Sequence, residues 1–217
     1  MWGNVSEQRA FGEIWPLWYG DPGVRNRRLA VEKLRPIADQ GYAPAQLALG
    51  VAYLDGDGVR RDYVKSFQYC MASAEQGYPA AEGMVGNYYV MAEPAHNACD
   101  LNLEEALRWQ RRAAEHGNVA GQYNLASAYW MGRGVERNAV EAYLWARLSV
   151  HCSRLRNRMG EVLRDQAAAE LDATRKAAAD LRVSDLSRDL PHPWSEHMDY
   201  WRLLAERAGA INPPGHT

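Results

Sequence analysis

Small and apolar positions recur in a fixed order along the chain. Residues Ala45-Gln46-Leu47-Ala48-Leu49-Gly50-Val51-Ala52-Tyr53 put Ala45, Leu49 and Tyr53 four apart, the spacing of one helix face. The stretches Ala81 to Tyr89 and Gly121 to Tyr129 repeat that order, and Gly50, Gly86 and Ala126 occupy one equivalent position. A residue that small in mid-helix, where Gly costs about 1 kcal/mol, implies close approach of a neighbouring helix. Each stretch is followed by a second helical pattern. These are Ser66-Phe67-x-Tyr69-x-x-Ala72-x-Ala74, then Ala106-Leu107-x-Trp109-x-x-x-Ala113-Ala114, then Ala142-Tyr143-x-Trp145.

The spacing of three marks defines a repeat. Gly41, Gly77 and Gly117 are separated by 36 and 40 residues, and Tyr69, Trp109 and Trp145 by 40 and 36. Gly56-Asp57-Gly58-Val59 recurs as Gly132-Arg133-Gly134-Val135 after 76. All three agree on a unit of 36 residues with 4 more inserted in the middle one. Gly-x-Gly-Val turns the chain because Gly supplies the positive φ that ends a helix. One helical hairpin cannot bury its apolar face alone, whereas stacked hairpins bury it for one another. The pattern therefore predicts an all-α protein, an α/α superhelical solenoid of about three and a half helix hairpins with helical caps.

The flanks supply the caps. Gly20-Asp21-Pro22-Gly23-Val24, followed by Ala30, Leu34 and Ala38 to Gly41, matches the back half of a unit. The Trp-rich stretch Phe11 to Tyr19 replaces that unit's first helix. Ser153 to Leu181 reads as two capping helices, with Leu155, Met159, Val162 and Leu163, then Leu171, Ala178 and Leu181, as the expected inner face. Beyond them, Pro191-His192-Pro193 breaks the chain and Ser195 can cap a short amphipathic helix from Glu196 to Ala208. That helix carries Met198, Trp201 and Leu204 on one side, and Ile211 to Thr217 reads as a disordered tail. The expected organisation is an N-terminal cap at 1–23, repeats at 24–152, C-terminal capping helices at 153–182, and a linker, short helix and tail at 183–217.

Leu49-Gly50-x-x-Tyr53, Gly56-x-Gly58-Val59-x-x-Asp62, Ala106-x-x-Trp109 and Ala113-x-Glu115-x-Gly117, at a period of 36, resemble the Sel-one-like repeat, a relative of the tetratricopeptide repeat. The middle unit lacks Gly-x-Gly-Val, the third has Ala126 for Gly, and the first has Tyr69 for Trp. The resemblance implies a non-enzymatic protein-interaction module, a bacterial adaptor or scaffold that receives a peptide or protein in a concave groove. Its alternative is an immunity or inhibitor protein that neutralises one secreted toxin. An enzyme or metal-binding protein is the remote third reading.

Composition narrows the partners. The chain has 217 residues, 25 basic and 27 acidic, and a pI near 6.3, so it lacks the basic excess of a dedicated nucleic-acid binder. Of the basic residues 22 are Arg and 3 are Lys, a bias associated with high-GC bacterial genomes. The longest charge-free run, Gly117 to Gly132, carries Asn118, Gln122, Asn124 and Ser127 and is too polar to span a bilayer. Three cysteines, Cys70, Cys99 and Cys152, leave at least one free thiol. Met1-Trp2-Gly3-Asn4 has no basic and apolar leader pattern, so the chain as given reads as cytoplasmic; a leader removed upstream would make it periplasmic or secreted.

Candidate chemistry is sparse. His96-x-x-Cys99 in the inserted turn is one pair, not the four ligands of a structural zinc site, and Cys99 falls on the position of Val59, a small buried hydrophobe. His192 and His197 flank Trp194 without a nucleophile pattern, and the Gly-x-Gly-Val turns follow no strand. No cofactor, metal or catalytic residue is expected. Arg154, Arg156 and Arg158, with Arg147 and Arg164, read as a solvated face or as ion pairs of the capping helices, with an acidic partner as the alternative. Comparison among the units carries the functional signal. Repeating residues are explained by the fold, whereas unrepeated aromatic, amide or other large residues on the first helices are not. Met84, Asn87, Tyr88, Tyr123, Asn124, Ser127 and Trp130 are the candidate partner-binding set on that ground. Tyr and Trp suit such a surface because they bring large rigid area at low entropy cost.

Overall fold

Many of the helices begin at an Asn or Asp side-chain cap, and those at Ala43 and Pro79 begin instead with a proline in the first turn. The computed structural model describes residues 5–19, 25–91, 98–153 and 157–190. Among them are ten α-helices: α1 (Val5–Tyr19), α2 (Arg27–Asp39), α3 (Ala43–Asp55), α4 (Tyr63–Glu75), α5 (Pro79–Val90), α6 (Leu103–Glu115), α7 (Val119–Met131), α8 (Ala139–Cys152), α9 (Arg158–Ala169) and α10 (Ala173–Asp189). The chain divides into two compact bodies, one through Trp109 and one from Gln110, with the boundary inside α6. Asn26, Asp62, Asn118, Asn138, Asn157 and Asp172 each accept a backbone N–H of the first turn that follows. Each such cap contributes about 1 kcal/mol by satisfying an otherwise orphaned donor.

In the N-terminal body, α1 packs on α2, α2 on α3, α3 on α4 and α4 on α5. Phe11 meets Tyr42 edge-on at 5.5 Å, and Ile14 and Trp18 join the α2–α3 core, so α1 packs against that helix pair. Helix α3 is buried without a break from Ala43 to Gly50, because it is apolar or small on every side except at Gln46. Its end is set by Gly56 at φ 73°, a left-handed cap whose N–H returns to Ala52 O. Helix α4 is tied to α3 by Ser73 Oγ, which donates to Ala43 O at 2.8 Å, and by Ser66 Oγ, which donates to Gly50 O at 2.5 Å. At Gly50 the close approach expected from the pattern is real: a Cβ there would lie 2.5 Å from Cys70 Sγ.

In the C-terminal body, α7 packs on α8, and α8 carries both α9 and α10. Gly132, at φ 67°, repeats the role of Gly56. Gln122 is wholly buried and donates from Nε2 to Ala114 O at 3.3 Å, as Gln46 donates to Ala38 O at 3.2 Å in the other body.

The capping helices correct the expected inner face. Met159, Val162 and Leu181 are 64%, 56% and 69% exposed, and Ala178 is exposed. The buried side is Gly160, Leu163 and Ala167 on α9 and Ala179 and Val183 on α10. Closeness decides this. A Cβ on Gly160 would lie 2.8 Å from Ser149 Oγ, so the approach of α9 to α8 admits glycine where a larger side chain would be driven out. Leu171 is half-buried, and Leu155 lies outside the described residues. Helix α10 also continues to Asp189, past the expected limit at 182. Residues 20–24 and everything from Pro191 on, including His192, His197 and the amphipathic helix, lie outside the described residues.

Candidate partner-binding faces

Helix α5 is buried through Ala81, Glu82, Gly83, Val85 and Gly86. Met84, Asn87 and Tyr88 lie on the opposite face and are each half-buried. The spacing is that of one helical stripe, i, i+3 and i+4. Tyr88 is also a structural tie. Its hydroxyl donates to Ser66 Oγ at 2.5 Å, which passes the bond on to Gly50 O, so α5, α4 and α3 share one hydrogen-bonded chain. Phe67 meets its ring edge-on at 5.4 Å. Burial pushes the Tyr88 phenol up to about 12, so it remains a hydrogen-bond donor throughout the physiological range. Met84 packs beside it against the core. Met91, which caps α5, continues the stripe and is 73% exposed.

Helix α7 is arranged alike, and its exposed side is richer. Gln122, Leu125, Ala126 and Tyr129 face inward. Tyr123, Asn124, Ser127 and Trp130 are half-buried on the other side, at i, i+1, i+4 and i+7. Ser127 Oγ lies 3.9 Å from Met131 Sδ, and Met131 itself is 55% exposed. The Arg137 guanidinium stands 4.7 Å over the Trp130 ring and also binds Glu170 at 2.6 Å. Trp130 is thereby held in one orientation by a cation that is itself fixed by a carboxylate.

Met91, Met131 and Arg137 were not read as site residues from the sequence. Arg137 was invisible because Arg61 repeats it 76 residues earlier and a repeated residue reads as fold. Yet Arg61 donates to Asp55 O, whereas Arg137 stacks on an aromatic ring that the earlier helix lacks. Met91 and Met131 occupy one equivalent position, 40 residues apart, so they too repeat and read as fold.

Other candidates resolve into packing. Burial raises the thiols of Cys70, to about 12, and of Cys152, so neither is set up as a nucleophile. Cys99 is half-buried rather than a core residue, because it lies in the irregular stretch before α6. His96 lies outside the described residues, and among those described no three His, Cys, Asp or Glu side chains are grouped to share a metal ion. Arg147 pairs with Asp180 at 2.9 Å and Arg164 with Asp165 at 2.8 Å, while Arg154 and Arg156 lie outside the described residues. No described helix is long and apolar enough to cross a membrane.

Comparison with known proteins agrees with this architecture. Residues 43–78, 97–118 and 119–151 match the Sel1 repeat, which is generally a protein-interaction module. The matches take in α3 with α4, then α6, then α7 with α8, and they pass over α5 and the inserted turn. The chain is similar to the chitin synthase regulator SKT5 of Saccharomyces cerevisiae, at 31% identity over 58% of this chain and 18% of that protein. It is also similar to an exopolysaccharide production negative regulator of Rhizobium leguminosarum, at 30% identity over 69% of this chain and 61% of that protein. The chain thus spans less than two thirds of either relative. Among solved structures, a protective antigen of uropathogenic Escherichia coli with an SLR fold superposes with a TM-score of 0.75, at 24% identity, over 97% of this chain and 42% of that one. A Sel1 repeat protein from Oxalobacter formigenes superposes with a TM-score of 0.54, at 27% identity, over 62% of this chain and 97% of that one. With its motifs, its helix pairs and these matches in agreement, the chain carries Sel1 repeats in three segments, 43–78, 97–118 and 119–151.

Proposed function

We propose that the protein is a non-enzymatic adaptor or scaffold that binds a peptide or protein surface through the half-exposed face of α7. The observation that carries this reading is Trp130, half-exposed and oriented by Arg137 and Glu170. A large aromatic held in place loses little entropy on binding, and neighbouring Met131 adapts its shape to a partner. Tyr123 and Asn124 add an aromatic surface and an amide beside it. The regulatory names of the yeast and rhizobial relatives are consistent with action through binding, and fit a protein that controls another's activity without chemistry of its own.

The test is affinity capture from the source organism with the full chain and a Tyr123→Ala/Trp130→Ala variant side by side, read by mass spectrometry. A partner retained by the wild type and lost by the variant, with the melting temperature of the variant unchanged, is the expected result. Equal capture by both proteins would refute the assignment of α7. The number of partners also separates two biologies: several weak ones fit a scaffold, and one very tight partner encoded nearby fits an inhibitor or immunity protein.

A further inference from the structure

Helix α9 has one open side. It packs on α8 and touches α7, and α10 packs on α8 as well. Gly160, Leu163 and Ala167 form its buried side. The opposite side carries Arg158, Val162, Asp165 and Ala169, spaced by four, three and four residues, which is one stripe along a helix. All four are exposed, Val162 by 56%, and Met159 beside them is 64% exposed. A repeat array covers such a stripe with its next helix or ends in a polar cap. Here a capping helix turns its valine and methionine outward.

The charges on the stripe select what fits it. Arg158 makes no ion pair among the described residues. Asp165 pairs with Arg164 at 2.8 Å, yet its side chain is 68% exposed, and a carboxylate accepts more than one donor. The two charges flank Val162, Arg158 four residues before it and Asp165 three after. At about 1.5 Å of rise per residue they stand about 6 Å and about 4.5 Å from it along the helix. On a two-fold axis at Val162, an antiparallel copy of α9 therefore brings its Asp165 level with Arg158 to within one residue. Symmetry makes that pair twice, with the valines in contact between them and Met159 at their side. A parallel copy would set arginine against arginine and aspartate against aspartate.

We propose that α9 is a self-association surface, on which two copies of the chain pair antiparallel through Arg158, Val162 and Asp165. The helix has 12 residues and is about 18 Å long, so the contact belongs to the small, reversible class of interfaces. It is separate from the α7 face and does not depend on the function given to that face.

Sedimentation equilibrium of the full chain over a dilution series tests this. The wild type should show a monomer–dimer equilibrium that weakens as salt is raised. Val162→Asp should abolish the dimer. Arg158→Asp and Asp165→Arg should each weaken it by at least about tenfold, because each sets like charges level with one another. The double variant Arg158→Asp/Asp165→Arg restores both pairs and should dimerise to within about threefold of the wild type. All three positions are exposed, so the melting temperature of the monomer should stay close to that of the wild type. A wild type that is monomeric at every concentration would overturn the proposal. A dimer indifferent to Val162→Asp would overturn it too, by placing the contact elsewhere. A double variant as weak as the single ones would refute the antiparallel register.

Discussion

Helices α3 and α4 of the N-terminal body correspond to α7 and α8 of the C-terminal body after a shift of 76 residues, and they solve one packing problem in two ways. In the first, Gly50 faces Ser66 and Cys70, and the missing Cβ makes room for the sulfur. In the second, the same positions are Ala126, Ala142 and Ala146, all fully buried. A methyl has been added on one helix and a sulfur and a hydroxyl removed from the other. What stays constant is the polar framework. Gln46 and Gln122 each donate to the carbonyl eight residues before, Tyr53 and Tyr129 each accept from an arginine of the preceding helix, and Gly56 and Gly132 each end the helix. Side-chain volume is exchangeable between partners in contact, but a buried carbonyl must be satisfied wherever the backbone repeats.

Gly50→Ala should have the largest effect. It forces a methyl to within 2.5 Å of Cys70 Sγ and should cost on the order of 1–3 kcal/mol, seen as a lower denaturation midpoint. Adding Cys70→Ala recreates the pairing of α7 with α8 and should recover part of the loss. If the two effects simply add in a double-mutant cycle, the volume exchange is not real.

Gln122→Ala comes next. It strips the donor from Ala114 O in a wholly buried site and should lower stability by roughly 1–3 kcal/mol. Gln46→Ala, at the equivalent position, should cost a similar amount. A null effect at both would break the claim that the framework is what repeats.

Trp130→Leu carries the comparison to the surface, since Leu54 is the equivalent residue of α3. Stability should change by less than about 1 kcal/mol, because a half-exposed ring and its cation–π contact are exchanged for an aliphatic side chain. Partner affinity should fall by on the order of 1–3 kcal/mol, measured by titration calorimetry. Tyr88→Phe is the contrasting case on α5. It removes the bond to Ser66 and should cost about 1 kcal/mol of stability, with most of the ring surface retained. Equal losses of stability and binding at Trp130 would make it a packing residue like Tyr88.

The smallest effect is electrostatic. The backbone N–H of Lys65 holds the Asp62 carboxyl below its ordinary range, so this cap favours folding above pH 4 or so and loses its contribution as pH falls through the lowered value. Asp62→Asn should keep the cap and flatten that part of the acid-unfolding profile. Asn138 already fills the equivalent position before α8, so the variant makes the two bodies alike there.

Recurrence made the repeats legible without coordinates. A face that returns three times, with glycines at set offsets, predicts helix pairs and their turns however each side chain is placed. The capping helices had no such internal control, and there hydrophobicity was an incomplete guide. Leu163 is buried as expected and Val183 joins it, but Met159, Val162 and Leu181 are exposed, and at Gly160 the approach of α8 leaves no room for a side chain. The faces proposed for binding were legible in part. Unrepeated residues marked α5 and α7, but whether such a residue is a tie or an anchor depends on its neighbours. Tyr88 bonds to Ser66, and Trp130 stands under Arg137.

The residue order alone therefore set the helical class, the period and the turn positions, since these depend on local spacing and backbone freedom. Which face of a cap is buried, which arginine stacks and which tyrosine is tied depended on the distance between helices. Distances of that kind arise only when elements far apart in the chain come into contact, and a difference of one methyl group is enough to choose between them.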